Sequence, residues 1–199
     1  MNKCSIEQTK QKIDLYYTVR SKIPELFENA NPKLPHMRKM MDVIYLIALP
    51  KLTKNMNRVT MFKVRKYVPS NEYDFLSYYS HIINLVELRL KEDYFLGNII
   101  ILDMQNVPLE MVGKNPLNLS LKLTTIYKNV AKSPLEAIYI INYPPFVGHL
   151  LFIFQICLSR KIFERIRIIE SVETLQELVG KEILPVEYGG EEKSLEELN

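Results

Sequence analysis

Hydrophobic positions follow two rhythms along this chain. Ile6, Ile13 and Tyr17 recur at helical spacing until Pro24, which predicts an opening helix. Residues 29–35 hold two prolines and read as a linker. Residues 37–49, rich in Met and Ile, are predicted to form a helix stopped by Pro50. The rhythm then changes. Residues 59–68 predict a strand, with Val59, Met61, Lys63 and Arg65 on one face and Thr60, Phe62, Val64 and Lys66 on the other. Pro69, Ser70 and Asn71 read as a turn and helix start. Phe75, Leu76, Tyr79, Ile82, Ile83, Val86 and Leu90 continue as a helix.

Gly97 precedes four consecutive apolar residues, Ile99 to Leu102, the signature of a strand covered on both faces. Leu119, Leu123, Ile126, Tyr127 and Val130 predict the next helix, residues 137–141 the next strand, and residues 146–162 a long apolar helix. A short strand at 166–169 follows. A helix capped by Ser171, carrying Leu175, Leu178 and Val179, ends at Gly180. Ser194 and Glu197 have capping-box spacing. Four strands alternating with helices predict an α/β fold, a mostly parallel sheet flanked by helices.

Composition narrows the class. The 199 residues are 47% hydrophobic and 25% charged, enough for one domain with a core plus a small helical appendage. The most apolar stretch, 144–158, is interrupted by His149 and Gln155 and falls short of the roughly 20 residues a spanning helix needs. Cys4 and Cys157 fit no metal or redox spacing. With no leader pattern, they read as free thiols in a reducing compartment, so a cytoplasmic protein is expected. The net charge of +3 is uneven: residues 1–67 hold 14 Lys or Arg against 5 Asp or Glu. A basic front half suits an anionic membrane, or simply a solvated surface. It carries no nucleic-acid reading motif, so no nucleic-acid partner is expected.

Catalytic patterns are missing. No glycine-rich phosphate loop or nucleophile elbow occurs, and His36, His81 and His149 are scattered. Asp103 ends a buried strand, where α/β enzymes often place a carboxylate, but a turn or capping role is the simpler reading. Cys157 reads as an inert core thiol. No enzyme activity, cofactor or metal is expected. The unusual feature is FVGHLLFIFQICL at 146–158, apolar nearly all round a helix. A helix with one wet side should show a polar face, so another layer, a ligand, a membrane or a partner must cover it.

Five motifs carry a resemblance: YYTVRSKIPELF at 16–27, GNIIILDMQNV at 97–107, AIYIINYPPF at 137–146, ERIRI at 164–168 and EILPVEYGGE at 182–191. In order and spacing they resemble the CRAL-TRIO family, especially its animal branch of tocopherol- and retinal-binding proteins and clavesins. The resemblance implies a helical N-terminal unit, here expected as a truncated remnant at 1–32 with its helix poorly packed. It implies an α/β lipid domain at 33–199, with residues 146–158 as the gate of an apolar cavity. It also implies non-enzymatic binding and transfer of one hydrophobic lipid (tocopherol-, retinoid- or phospholipid-like) between membranes, by a monomer that associates with them transiently. The alternative is a membrane-docking or protein-interaction scaffold with a vestigial cavity.

The residues expected to line the cavity are Tyr79, Ile101, Ile140, Phe146, Leu150, Phe154 and Leu158. Arg20, Lys161 and Arg165 match basic positions that hold an anionic or phosphoinositide head group in some relatives, whereas Pro134 and Glu136 replace basic residues there. Gln155, Ile156 and Cys157 replace the gate's usual Lys-Pro-Phe. Without that proline the gate helix should run on unkinked into SRKIFERI.

Overall fold

A computed structural model describes residues 6–66, 69, 72–127 and 134–199. Cys4, Ser70, Asn71 and Val130, singled out above, and residues 67 and 68 of the expected strand lie outside the described residues. The fold is built on a five-stranded sheet in the order β1 (Ile44–Leu52), β2 (Asn57–Val64), β3 (Gly97–Asp103), β4 (Leu135–Ile141) and β5 (Ile166–Ile168). β1 is antiparallel to β2, and every other pair is parallel. The mostly parallel α/β sheet expected from the sequence is what the chain forms.

The fifth strand is a correction. Residues 37–49 are not one helix: α2 (Pro35–Met41) is short, and β1 begins at Ile44. Met, Leu and Ala favour a helix locally, but pairing with β2 from Ile44↔Val64 to Ala48↔Thr60 overrides that preference. Pro50 does not stop the element. It sits where the β1–β2 register shifts, on an edge strand where a missing N–H costs little.

Strand order equal to chain order has a geometric consequence. Right-handed crossovers between adjacent parallel strands all pass over the same face of the sheet. The connecting helices are α3 (Phe75–Glu92), α4 (Leu109–Lys114), α5 (Leu117–Ile126), α6 (Val147–Cys157) and α7 (Arg160–Phe163). Phe62 and Ile140 on that face pack with residues of α3, α4 and α6. The opposite face is covered by the C-terminal segment, including α8 (Val172–Val179) and α9 (Leu195–Leu198). There Val59, Met61, Ile99 and Ile101 pack with Leu175, Ile183, Leu184 and Leu195.

The C-terminal motif explains itself in this packing. Leu184 is fully buried, and the carbonyl of Pro185 accepts from Gly190 N at 3.1 Å. A Cβ on Gly190 would lie 1.8 Å from Leu184 O, so only glycine fits. Ser171 caps α8 through Thr174 N, Gly180 ends it with φ 109°, and the Ser194–Glu197 capping box forms.

The opening helix, α1 (Ile6–Lys22), packs through Val19, with Ile23 just beyond its end, against Tyr79 and Ile83 of α3. The expected apolar stripe points the other way: Ile6, Ile13 and Tyr17 are exposed. The N-terminal segment is anchored by polar residues of α3 instead. Ser80 donates to Leu26 O (3.1 Å), Asn84 to Ala30 O (2.6 Å) and His81 Nε2 to Met37 O (2.8 Å). Burial lowers the pKa of His81, with the Met37 carbonyl opposing.

Candidate functional site

The helical face of the sheet does not close completely. Between strands and helices lies a cavity of about 300 Å³. Thr60 and Phe62 of β2, Asn98, Ile100 and Leu102 of β3, and Leu135 and Ile138 of β4 form its floor. Strand alternation explains most of this set. Leu135 and Ile138 differ in parity because the β3–β4 register shifts between Asn98 and Ile99, inserting Glu136 opposite no partner. Tyr78, Ile82, Val86 and Arg89 of α3 form one wall, with Met111, Ser120 and Leu123 beside them. Leu150, Ile153, Phe154 and Cys157 of α6 close the far side.

Four residues expected on the wall are there: Tyr79, Leu150, Phe154 and Leu158. Ile101 is not. It points to the opposite, solid face with Met61 and Leu175, since its neighbours Ile100 and Leu102 take the cavity positions. A continuous apolar run holds no alternation from which to choose the face. Ile140 shares the cavity face but does not reach the cavity wall; it packs in the same cluster as the wall residue Met104, as does Phe146 at the start of α6.

The gate also departs from expectation. It breaks after Cys157, since Leu158 (ψ 150°) and Ser159 (ψ 152°) are extended before α7 begins. No proline is needed. The extended pair keeps Leu158 on the cavity wall, and the chain reaches β5 within a few residues. Leu150, Ile153 and Phe154 face inward, while His149, Phe152, Gln155 and Ile156 are exposed; Phe152 is 63% exposed. The all-round apolarity of 146–158 thus divides into a cavity side and a solvent side.

Polar groups on the wall fall in two clusters. Tyr79 Oη donates to Asn115 Oδ1 (2.7 Å) and lies 2.6 Å from Ser120 Oγ. Burial raises the Tyr79 phenol pKa, while these hydrogen bonds oppose the rise. The second cluster was missed in the sequence. Arg89 donates to Asn98 Oδ1 at 2.5 Å and to Thr60 Oγ1 at 3.1 Å, and its guanidinium stacks 4.4 Å from the Phe95 ring. Behind it, Arg58 grips Asp93 through two bonds of 2.8 and 2.7 Å, which holds the Asp93 carboxyl below the usual carboxylate range. The available signal was a polar residue inside an apolar strand run, and a charge in the helical stripe of Ile82 and Val86.

The basic positions lie on different elements. Arg20 joins α1 to α3 by an ion pair with Glu87 (2.9 Å), a bond to Tyr16 Oη (2.7 Å) and stacking on Phe27. Lys161 is exposed on α7, and Arg165 follows it, half-buried. Asp103 is fully buried on the solid face. Its carboxylate accepts from Lys63 Nζ (2.9 Å), Tyr188 Oη (2.6 Å), Gln105 N (2.9 Å) and Asn142 Nδ2 (2.9 Å). Those bonds tie β2 and the segments after β3 and β4 to the C-terminal segment. Cys157 is a free, buried thiol whose pKa is raised by burial. Among the described residues no cluster of His, Cys, Asp or Glu could hold a metal, and no helix is long and apolar enough to cross a membrane.

Comparison with known proteins bears on this geometry. Residues 42–190 match the family described as CRAL/TRIO domain, and residues 1–37 match the Pinta-like UBA domain. Among solved structures, the crystal structure of Sfh5 is similar, with a TM-score of 0.67 and 17% identity, over 95% of this chain and 68% of that one. No curated protein matches.

Proposed function

The chain belongs to the CRAL/TRIO domain family, whose members are generally lipid-binding and transfer proteins rather than enzymes, and we propose that it binds one hydrophobic lipid and exchanges it between membranes without covalent chemistry. The observation that carries this reading is the largely apolar cavity of about 300 Å³ beneath an exposed apolar helix. Each buried CH₂ contributes roughly 0.8 kcal/mol, so the cavity replaces the bilayer nearly evenly and exchange runs close to balance. The protein lowers the barrier by sparing the lipid a passage through water.

In this reading α6 is the gate. Leu150 and Phe154 touch the ligand, with Tyr79 and Leu158 at its flanks, while Phe152 and Ile156 meet the membrane as the gate opens. Lys161 and Arg165, beside the gate in sequence, add attraction to anionic lipid, and phosphoinositide is the most charged candidate. Arg20, already paired with Glu87, serves that role less. Residues 1–32 act as the N-terminal helical unit and 33–199 as the lipid domain. The protein works as a cytoplasmic monomer, visits membranes transiently and needs no cofactor. The likeness to the animal tocopherol- and retinal-binding branch supports an isoprenoid-sized ligand.

The test is native mass spectrometry of purified protein after exposure to a mixed lipid extract. The expected result is one hydrophobic molecule per chain, released by organic extraction. A folded chain that stays empty and still binds anionic vesicles would replace this reading with a docking scaffold.

A further inference from the structure

The cavity has one charged end. Among the described residues on its wall, Arg89 is the one with a formal charge. Asp93 does not cancel it fully: Arg58 holds that carboxylate with two bonds, and Arg89 Nε reaches it at 3.4 Å. Two guanidinium groups thus share one carboxylate.

Asn98 stands beside Arg89 and shares the cavity face of β3 with Ile100. It is 3% exposed. Because a guanidinium only donates, the bond from Arg89 fixes the amide with its oxygen toward Arg89. Its Nδ2 is then left buried without a hydrogen-bond partner among the described residues. A buried donor without an acceptor is unfavourable, and a ligand oxygen at this end would relieve it. The size of the cavity sets the rest. Ligand pockets span about 300–1,000 Å³, and this one lies at the small end, enough for one chain and not two.

We infer that the cavity selects a single-chain lipid with a carboxylate head, the head seated against Asn98 Nδ2 and Arg89 and the chain running toward Phe154. The inference rests on the lipid-binding reading and narrows it to an anionic ligand class. A carboxylate meets both needs of this end, accepting from the amide and balancing the excess positive charge. An alcohol of the same chain length meets only the first.

The experiment compares oleic acid and oleyl alcohol on delipidated full-length chain, read by native mass spectrometry and by competition. The expected result is a preference for the acid of about tenfold, the scale of one charge-assisted hydrogen bond. Asn98→Ile, which continues the apolar strand pattern, should lower acid binding about tenfold and alcohol binding by clearly less, since a hydroxyl forms only a neutral hydrogen bond with Asn98 Nδ2. Asn98→Asp, nearly isosteric, should abolish the preference by placing a second anion beside Arg89. A thermal melt confirms that each variant is folded. Equal binding of acid and alcohol to the unaltered chain, or equal losses for both in Asn98→Ile, overturns the inference while sparing the lipid-binding reading. Failure of both to bind, with a mixed extract also leaving the chain empty, overturns the two together.

Discussion

The two faces of the central sheet share their strands yet differ in how they are filled. On β3, Ile99, Ile101 and Asp103 enter the face covered by α8, α9 and the C-terminal segment, where Met61, Leu175, Ile183 and Leu184 are almost wholly buried. Asn98, Ile100 and Leu102 enter the other face and look into the cavity. The solid face gains full dispersion and burial for every methylene. The hollow face gives up part of that gain and keeps a space in which a lipid's methylenes supply it instead. Stability and function are thus separated by one residue's shift along a strand.

The largest expected effect tests that separation directly. Ile101→Ala should lower stability by about 2–5 kcal/mol, measured by urea unfolding, with lipid loading per folded molecule unchanged. Tyr188→Phe removes one donor to the buried Asp103 carboxylate and should lower stability by about 1–3 kcal/mol, again without an effect on loading. The hollow face should show the reverse. Ile100→Phe fills the cavity floor and should reduce lipid occupancy about tenfold, with a stability change within about 1.5 kcal/mol. Loss of stability equal to that of Ile101→Ala would break the comparison.

A finer prediction concerns pH at the charged end of the cavity. Arg58 holds Asp93 below its ordinary range, so the unfolded chain takes up this proton first as pH falls. The stabilisation is complete above the unfolded carboxyl's value of about 3.9 and is lost as pH falls through the lower folded value. Asp93→Asn should therefore cost stability near neutrality, with the gap to the unaltered chain closing in acid. A gap constant with pH would show that Asp93 contributes no charge-dependent stability. The smallest effect lies at the gate's outer side: Phe152→Ser should slow lipid exchange with vesicles by about threefold, with equilibrium loading preserved, since Phe152 touches solvent and not the cavity.

How much was legible depended on how local each signal was. Caps and turn glycines such as Ser171, Gly180 and the Ser194–Glu197 box were readable, because each is satisfied within a few residues of itself. Strands β2, β3, β4 and β5 were readable, β2 from β-branched and aromatic content and the others from apolar runs, although β2 ends at Val64, short of its expected extent. β1 was not, because its residues favour a helix locally and only pairing with β2 makes them a strand. The outward turn of Ile6, Ile13 and Tyr17 was hidden for a similar reason: which side of α1 is covered depends on where α3 lies.

By itself the sequence determined the α/β class, the order of the elements after β1, the family resemblance and the exceptional apolarity of the gate. These follow from periodicity and motif spacing, which the chain carries along its length. Tertiary structure alone decided which isoleucine of β3 meets the cavity, where the gate breaks, and that Arg89 and Asn98 meet at one end of it. A doubly buried strand hides its alternation in a run of like residues, and a pair of polar groups on a helix and the following strand becomes a site only when the crossover brings them within hydrogen-bonding distance.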